Sequence, residues 1–172
     1  MTDSPSPLDT VELGAYFALI EVAGLLRHAV EQQLREDSDL SYVQFQLLAR
    51  LGLDSPSGSE RMTDLADGVV YSRSGLTYQA SLLEKAGLVT RAQSPDDERG
   101  VTVTISDAGR GVIAKVLPGH VRVIKDLLLQ PISRTQVETL FSVLEPARAH
   151  MRSTPPRSAK RRRSQGGSSP KG

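Results

Sequence analysis

The segment from Met62 to Gly109 constrains the fold of this 172-residue chain more than any other. Thr63 is a candidate N-cap for a short helix, and Ser72 is a candidate N-cap for a second helix over Arg73–Ala86. The stretch before them, Asp54–Glu60, is rich in serine and indicates a loop. The pattern predicts two short helices joined by a tight turn, which is a helix-turn-helix.

Two short alternating segments follow the second helix, which Gly87 is expected to end in a left-handed conformation. Leu88–Ala92 and Val101–Ile105 alternate apolar and polar residues as strands do, and the polar turn Gln93–Gly100 separates them. Ser106 is a candidate N-cap for the next helix. A helix-turn-helix followed by a hairpin is a winged helix, which can present a helix to a DNA major groove and a hairpin tip to the minor groove. The segment points to nucleic acid rather than to catalysis.

Longer amphipathic helices are predicted on both sides of the winged helix, which would span about residues 41–109. Pro118–Gly119 is expected to kink or interrupt one of them, and Pro146 is expected to bend the last. The helices of about residues 9–36 and 110–151 carry more apolar surface than a small winged helix covers. Pairing with a second copy in a two-fold dimerisation region is favoured over a monomer in which these helices pack on one another.

Charge is distributed unevenly along the chain. Residues 152–172 hold seven of the 21 basic residues and none of the 20 acidic ones, so the remainder is acidic although the total is +1. This basic tail and residues 1–8 are expected to be disordered. The run Lys160–Arg163 is either an arm that raises non-specific DNA affinity through counterion release or a solvated tail without a specific role.

Several function classes are excluded or disfavoured. The absence of cysteine excludes disulfides, cysteine metal sites and thiol redox sensing. The N-terminus lacks a basic region, and no stretch is expected to reach the roughly 20 apolar residues of a membrane span. A soluble cytoplasmic protein with no membrane partner is predicted. His28, His120 and His150 are interpreted as unrelated histidines rather than a zinc site, no catalytic constellation stands out, and no enzyme, metal or cofactor is expected.

Hydroxyl and arginine side chains characterise the predicted outer face of the second helix. Short hydroxyls permit a close approach to phosphates and base edges, and an arginine can read guanine through two hydrogen bonds. DNA contact is favoured over an ordinary solvated face because acidic residues are missing there. The candidate contacts are Ser72, Arg73, Ser74, Thr77, Tyr78 and Ser81, whereas Leu76, Ala80, Leu83 and Ala86 are expected to face inward.

The hairpin adds three further candidates. Arg99 at the expected tip suits the narrow, electronegative minor groove. Asp97 is expected to pair with Arg99 across the turn and to orient it, since an exposed pair of this kind contributes only about 0–1 kcal/mol to stability. A generic charged turn is the alternative. Arg91 is expected to contact phosphate or to brace the hairpin.

This ordered set of motifs resembles the MarR family of bacterial transcriptional regulators. The wing is similar to the family's D-x-R pattern followed by a strand that ends in Leu-Thr-x-x-Gly, with Ile105–Ser106 in place of Leu-Thr. The resemblance covers about residues 9–151. The motifs that carry it are Leu65–Ala66, Ser72 with Leu76–Thr77, Leu83–Glu84 with Gly87–Leu88–Val89 and Arg91, Asp97–Glu98–Arg99, and Val101, Val103, Ile105–Ser106 and Gly109.

The resemblance implies a mainly α fold with a small β-hairpin wing, a winged helix-turn-helix flanked by N- and C-terminal dimerisation helices. It also implies a homodimer on a pseudo-palindromic double-stranded DNA operator, acting in the bacterial cytoplasm at the nucleoid, and a repressor that a small aromatic or lipophilic effector releases. A winged-helix nucleoid-architectural or protein-interaction module of low sequence specificity is the alternative. By analogy, the effector pocket would be lined by Leu19, His28, Tyr42, Phe45 and Arg50.

Two features depart from the family pattern. Tyr78 stands where the family often has an arginine directly after the threonine of the recognition helix. The basic tail is an addition that the pattern does not contain. In addition, the lack of cysteine rules out the peroxide-sensing subgroup, and the lack of tryptophan counts against the urate-responsive one.

Overall fold

The computed structural model describes residues 6–69, 72–94 and 97–153; for Arg73 and residues 97–99 it describes the backbone. The chain forms two compact units, the first ending at Leu128 and the second beginning at Leu129. The elements in chain order are α1 (Thr10–Asp37), α2 (Tyr42–Ala49), β1 (Ser59–Arg61), α3 (Met62–Gly68), α4 (Arg73–Lys85), β2 (Val89–Ser94), β3 (Asp97–Ile105), α5 (Asp107–Ile124) and α6 (Arg134–Ser153). Short π-helical segments extend α2 (π1, Arg50–Asp54) and α5 (π2, Lys125–Leu129).

The mainly helical fold with a small antiparallel sheet matches the prediction, but the sheet has three strands in the order β1–β3–β2. The first two residues of β1, Ser59 and Glu60, were predicted as part of the loop Asp54–Glu60. Its three residues pair with β3, with Ser59 opposite Thr104 and Arg61 opposite Thr102. Gly58, with φ of 69°, makes the turn into this strand. So short a strand shows no alternation of its own, and its conformation comes from the pairing with β3.

Side-chain caps define the starts of α4 and α5 as predicted. Ser72 accepts a hydrogen bond from the Gly75 amide at 3.2 Å, and Ser106 accepts one from Gly109 at 3.1 Å. Gly87 ends α4 with φ of 73°, which favours glycine. The prediction for Thr63 was wrong. α3 begins at Met62 with Arg61 as its N-cap and no capping side chain, because the extended residue Arg61 belongs to β1 and leads directly into the helix.

The core of the first unit lies where α2, α3, α4 and α5 meet one face of the sheet. Leu48, Leu51, Leu65, Leu76 and Val116 have no exposed surface. α5 runs through Pro118 without interruption, contrary to one of the two predicted outcomes. Proline removes a single backbone donor, and the packing of α5 against α1 and α2 outweighs that loss.

α1 is anchored in the first unit only at its C-terminal end, where Val30, Gln33 and Leu34 are buried. The rest of the helix exposes large apolar side chains. They are Val11, Leu13, Tyr16, Phe17, Leu19, Ile20, Val22 and Leu25. They occur on all sides of the helix, as in helices that protein covers completely.

Among the described residues, α1 is also the one helix long and apolar enough to cross a bilayer by length and composition. The prediction that no stretch reaches this apolarity was therefore wrong. Small residues such as Gly14, Ala15 and Ala18 add to the large apolar side chains of α1. Together they outweigh its few charged residues in the average hydropathy of the helix.

The second unit consists, in its described part, of the end of π2, a short connection and α6. Ser133 caps α6 by accepting from the Gln136 amide at 3.3 Å, while the Gln136 side chain accepts from the Ser133 amide at 2.8 Å. Pro146 lies inside the helix, which extends to Ser153, two residues past its predicted end. α6 exposes Leu140, Phe141, Val143, Leu144 and Met151. The remainder of the basic tail, residues 154–172, lies outside the described residues.

Candidate nucleic-acid interface

α4 has the two faces that its sequence predicts. Leu76, Ala80 and Leu83 are buried in the core, and Ser72, Ser74, Thr77 and Tyr78 are exposed. Ala86 was expected to face inward but is exposed, because α4 ends at Lys85 and Ala86 is its C-cap. The side chain of Arg73 lies outside the described part of the structure. The helix therefore rests on the core and presents a narrow hydroxyl-rich strip outward.

Ser81 is placed differently from the other candidates. It is half-buried, and its hydroxyl donates to the backbone carbonyl of Tyr78 at 2.7 Å. Only the lone pairs of its oxygen stay available to an outside donor. Tyr78, at 60% exposure, is the largest side chain on the outer strip. Of the described exposed residues between Ser72 and Lys85, none is acidic, which suits the approach of a polyanion.

An ion pair joins α4 to the wing. Arg91 in β2 donates from Nε to Oε2 of Glu84 at 2.8 Å, and its backbone amide donates to Oε1 at 3.1 Å. This hydrogen bonding to Arg91, aided by its charge, lowers the pKa of Glu84 below its ordinary 4.5 against the opposing effect of burial. Of the two roles predicted for Arg91, the structure shows the brace: it fixes the wing strand on the end of α4.

The wing has longer strands than predicted. β2 continues to Ser94 and β3 begins at Asp97, so most of the predicted turn Gln93–Gly100 is strand. The ladder is irregular between Gln93 and Ser94, where Ser94 pairs with Asp97 while Gln93 pairs with Val101. Arg99 consequently lies within β3 rather than at the tip. The side chains of Asp97 and Arg99 fall outside the described residues, and their pairing stays a prediction.

The comparison with known proteins agrees with this geometry. A sequence model of the MarR family matches residues 40–101. The structure resembles that of Sco3205, a MarR family transcriptional regulator from Streptomyces coelicolor solved in complex with DNA, at 31% identity and a TM-score of 0.77 over 85% of this chain and 91% of that one. The chain belongs to the MarR family.

Two further relatives support this membership. AbsC, a MarR family transcriptional regulator from Streptomyces coelicolor, is 28% identical, with a TM-score of 0.79 over 87% of this chain and 100% of its own. The HTH-type transcriptional regulator MhqR of Bacillus subtilis is 26% identical over 88 residues, which is 51% of this chain and 60% of MhqR. The match thus spans less than two thirds of that curated relative.

A second polar cluster in this MarR-family protein lies where α1, α2 and α5 meet. The His120 ring packs against Phe45, with 4.6 Å between centroids. The Gln33 amide donates to Oδ2 of Asp37 at 2.7 Å and to the carbonyl of Val116 at 3.3 Å. His120 Nδ1 and Gln33 Oε1 are buried without a hydrogen-bond partner, and burial lowers the pKa of His120. Two unsatisfied polar atoms at one junction are a feature that a bound molecule could satisfy.

The five predicted pocket residues are not gathered at this junction. Phe45 is there, but Leu19 and His28 are exposed on α1. The guanidinium of Arg27 lies over the Tyr42 ring, with 5.1 Å between Arg27 Cζ and the ring centre. Arg50 is paired with Glu60.

Sequence reasoning missed Gln33 as a member of the cluster and treated His120 as an isolated histidine. The available signal was the helical spacing of Gln33 with Val30, Leu34 and Asp37. Among the described residues, no group of three or more histidine or acidic side chains could hold a metal ion.

Proposed function

We propose that this protein is a homodimeric transcriptional regulator that binds a pseudo-palindromic operator and acts as a repressor. The observation that carries the proposal is the exposed, acid-free outer strip of α4, which the Glu84–Arg91 pair fixes relative to the wing. The 31% identity to Sco3205, which was solved in complex with DNA, supports it. In this proposal, Ser72, Arg73, Ser74, Thr77 and Tyr78 face the major groove, Ser81 accepts from a donor at its edge, and Asp97 and Arg99 serve the minor groove.

The apolar surfaces of α1 and α6 support a dimer. Phe17 and Phe141 are 61% and 67% exposed, which is unfavourable for side chains of this size in water. A second copy would cover apolar helix surface of this kind in a two-fold interface, since MarR regulators are typically homodimers. Two α4 helices would then enter successive major grooves about 34–36 Å apart.

Release by a small molecule is proposed from the junction of α1, α2 and α5. Gln33 Oε1 can accept a hydrogen bond, and neutral His120 can accept or donate one at Nδ1, depending on its tautomer. Phe45 and the surrounding apolar core suit an aromatic or lipophilic body. An effector there would touch both α1 and α5. The exposed part of α1 is the proposed dimer surface, and α5 directly follows the wing in the chain.

The relatives of this protein are transcriptional regulators. We propose that it likewise has no enzymatic activity and acts in the cytoplasm on the nucleoid. The apolar surface of α1 is then a protein interface rather than a membrane span.

Selection of bound sequences from random DNA with the purified protein tests the proposal. We expect enrichment of an inverted repeat whose half-sites lie about 10 base pairs, or one helical turn, apart. Enrichment of no sequence would contradict sequence-specific recognition. A chain ended at Met151 is expected to retain the selectivity. Loss of all DNA affinity in that shortened chain would favour an architectural module driven by its tail.

Variants of the outer strip and wing test the assignment of the interface. Arg99→Ala and Tyr78→Ala should each weaken operator binding severalfold without unfolding the protein. Arg134→Ala is the matched control, because it removes a charge from an exposed ion pair on α6. Unchanged operator affinity in both interface variants would refute the assignment.

A further inference from the structure

Arg50 lies where three elements of the first unit meet. It opens π1 directly after α2 ends at Ala49. Its Nε donates to Oε2 of Glu60 in β1 at 2.7 Å, and the two side chains are only 27% and 17% exposed. Because Glu60 pairs with Val103 in β3, the guanidinium is tied to the wing sheet.

The same guanidinium packs against Gly68, the last residue of α3. A Cβ atom at Gly68 would lie 2.7 Å from Nε of Arg50 and closer still to Cζ and Nη1. Gly68 is not among the positive-φ glycines, so its backbone conformation does not require glycine. The missing Cβ provides the space into which the arginine fits.

We propose that Arg50 is a positioning residue for DNA recognition, holding the end of α3 against the wing sheet. The planar guanidinium lies against Gly68 and bonds to Glu60, a geometry that the point charge of a lysine does not reproduce. α3 comes directly before α4 in the order of elements, whereas Glu60 belongs to the sheet that carries the wing. The pair therefore fixes the placement of the two DNA-reading elements relative to each other without touching DNA.

A purely stabilising ion pair is the competing interpretation. Half-buried pairs often add little net stability, since removing two charges from water offsets their attraction. Their geometry is nevertheless restrictive, which suits a joint. The π-helical turn at Arg50 agrees with this role, because such turns are frequent at functional sites. The two interpretations differ in whether DNA affinity and stability change together.

Gly68→Ala separates them. The new methyl group displaces the guanidinium but leaves both charges of the pair in the protein. Because alanine favours helix over glycine, helix preference offsets part of the cost of moving the guanidinium, and the thermal midpoint of unfolding should change by no more than roughly 2–4 °C. We expect operator affinity to fall about tenfold, which corresponds to about 1.4 kcal/mol. Gly111→Ala in α5 is the matched control, since a Cβ there would contact nothing within 4 Å.

A second variant tests the joint from the arginine side. A lysine at position 50 can reach Glu60 with a slimmer group that leaves room for the methyl of Gly68→Ala. Arg50→Lys alone should weaken operator binding, and the double variant should bind more tightly than Gly68→Ala alone. Such non-additivity identifies residues that act through one contact.

Three results would overturn the proposal: wild-type operator affinity in Gly68→Ala, parallel loss of stability and affinity in that variant, or no rescue by the lysine.

The proposal rests on the proposed DNA-binding function. If the wild-type protein enriches no DNA sequence, that function fails, and hydrogen exchange tests the joint by itself. The Val69 amide donates a hydrogen bond to the Leu65 carbonyl at 3.0 Å, and its hydrogen should exchange faster in Gly68→Ala than in Gly111→Ala. Equal exchange in the two variants would refute the joint.

Discussion

Replacement of Gly109 by alanine should loosen the contact between α5 and the base of the wing. A Cβ atom at this position would lie 2.9 Å from Cγ1 of Ile105 and 3.2 Å from the carbonyl carbon of Leu88, and it would overlap the carbonyl oxygen of Leu88. The Leu88 carbonyl accepts from the Ser106 amide at 3.0 Å, so it is held in place. The Gly109 amide in turn bonds to the Ser106 hydroxyl at 3.1 Å. Neither side can retreat without losing a hydrogen bond.

The expected size of the effect follows from these contacts. Overpacking a tight site typically costs about 1–3 kcal/mol, and loss of the Ser106 cap adds about 1 kcal/mol. The helix preference of alanine over glycine returns up to about 1 kcal/mol. Gly109→Ala should therefore destabilise the protein by about 1–3 kcal/mol, and a loss of about 2 kcal/mol corresponds to a midpoint lower by roughly 4–8 °C.

Gly111→Ala lies two residues further along the same helix and meets no neighbour within 4 Å. It should raise the midpoint by up to roughly 2–4 °C through helix preference alone. Thermal unfolding of both variants by circular dichroism, at one protomer concentration, measures the difference. If Gly109→Ala is as stable as Gly111→Ala, the claim that α5 packs too closely on Leu88 to admit a methyl group is refuted.

Three further predictions concern titration and assembly. Glu84→Gln should be less stable than the wild type at neutral pH. Because the pKa of Glu84 is lowered from 4.5, its contribution is present above pH 4.5 and lost as the pH falls through the folded-state pKa. Urea titrations at several pH values should therefore converge in acid, and a constant difference would contradict the prediction. Because burial lowers the pKa of His120 from 6.5, the unfolded chain takes up the proton first, and stability should fall as the pH drops below 6.5. His120→Gln should fall less steeply in the same titrations, whereas parallel curves would speak against a buried neutral ring. Ile20→Asp on α1 should turn the proposed dimer into a monomer in light scattering, whereas the exposed loop variant Ser57→Asp should stay dimeric; an Ile20→Asp dimer would exclude this surface.

The sequence predicts those features whose determinants are close together in the chain. The hydroxyl of Ser72 caps α4 three residues away, and the inward spacing of Leu76, Ala80 and Leu83 follows from one helix. β1 could not be predicted, because its three residues become a strand only by pairing with residues more than 40 positions later. The polar residues on either side of the wing tip likewise take strand conformation from the ladder and not from their own propensities.

The candidate sites divide in the same way. The outer strip of α4 needs only helical periodicity. The exposure of Ser72, Ser74, Thr77 and Tyr78 was predicted, whereas Ser81 is half-buried. Arg50 was predicted as a pocket residue by analogy with the family. Its actual partners, Glu60 and Gly68, are ten and eighteen positions away, and no sequence pattern connects them. The link between Gln33 and Val116 spans 83 positions and depends on how α1 packs on α5.

The anchoring of α1 has a mechanical consequence. From Leu34, buried in the first unit, the helix extends to Thr10, which at 1.5 Å per residue is a length of about 36 Å. Rotation by about 5° around the anchored end displaces the far end by about 3 Å, nearly the diameter of a methyl group. Gln33 lies at the pivot, beside the junction with α5. A rearrangement at Gln33 that is too small to disturb the core would therefore produce a larger displacement at the N-terminal end of α1.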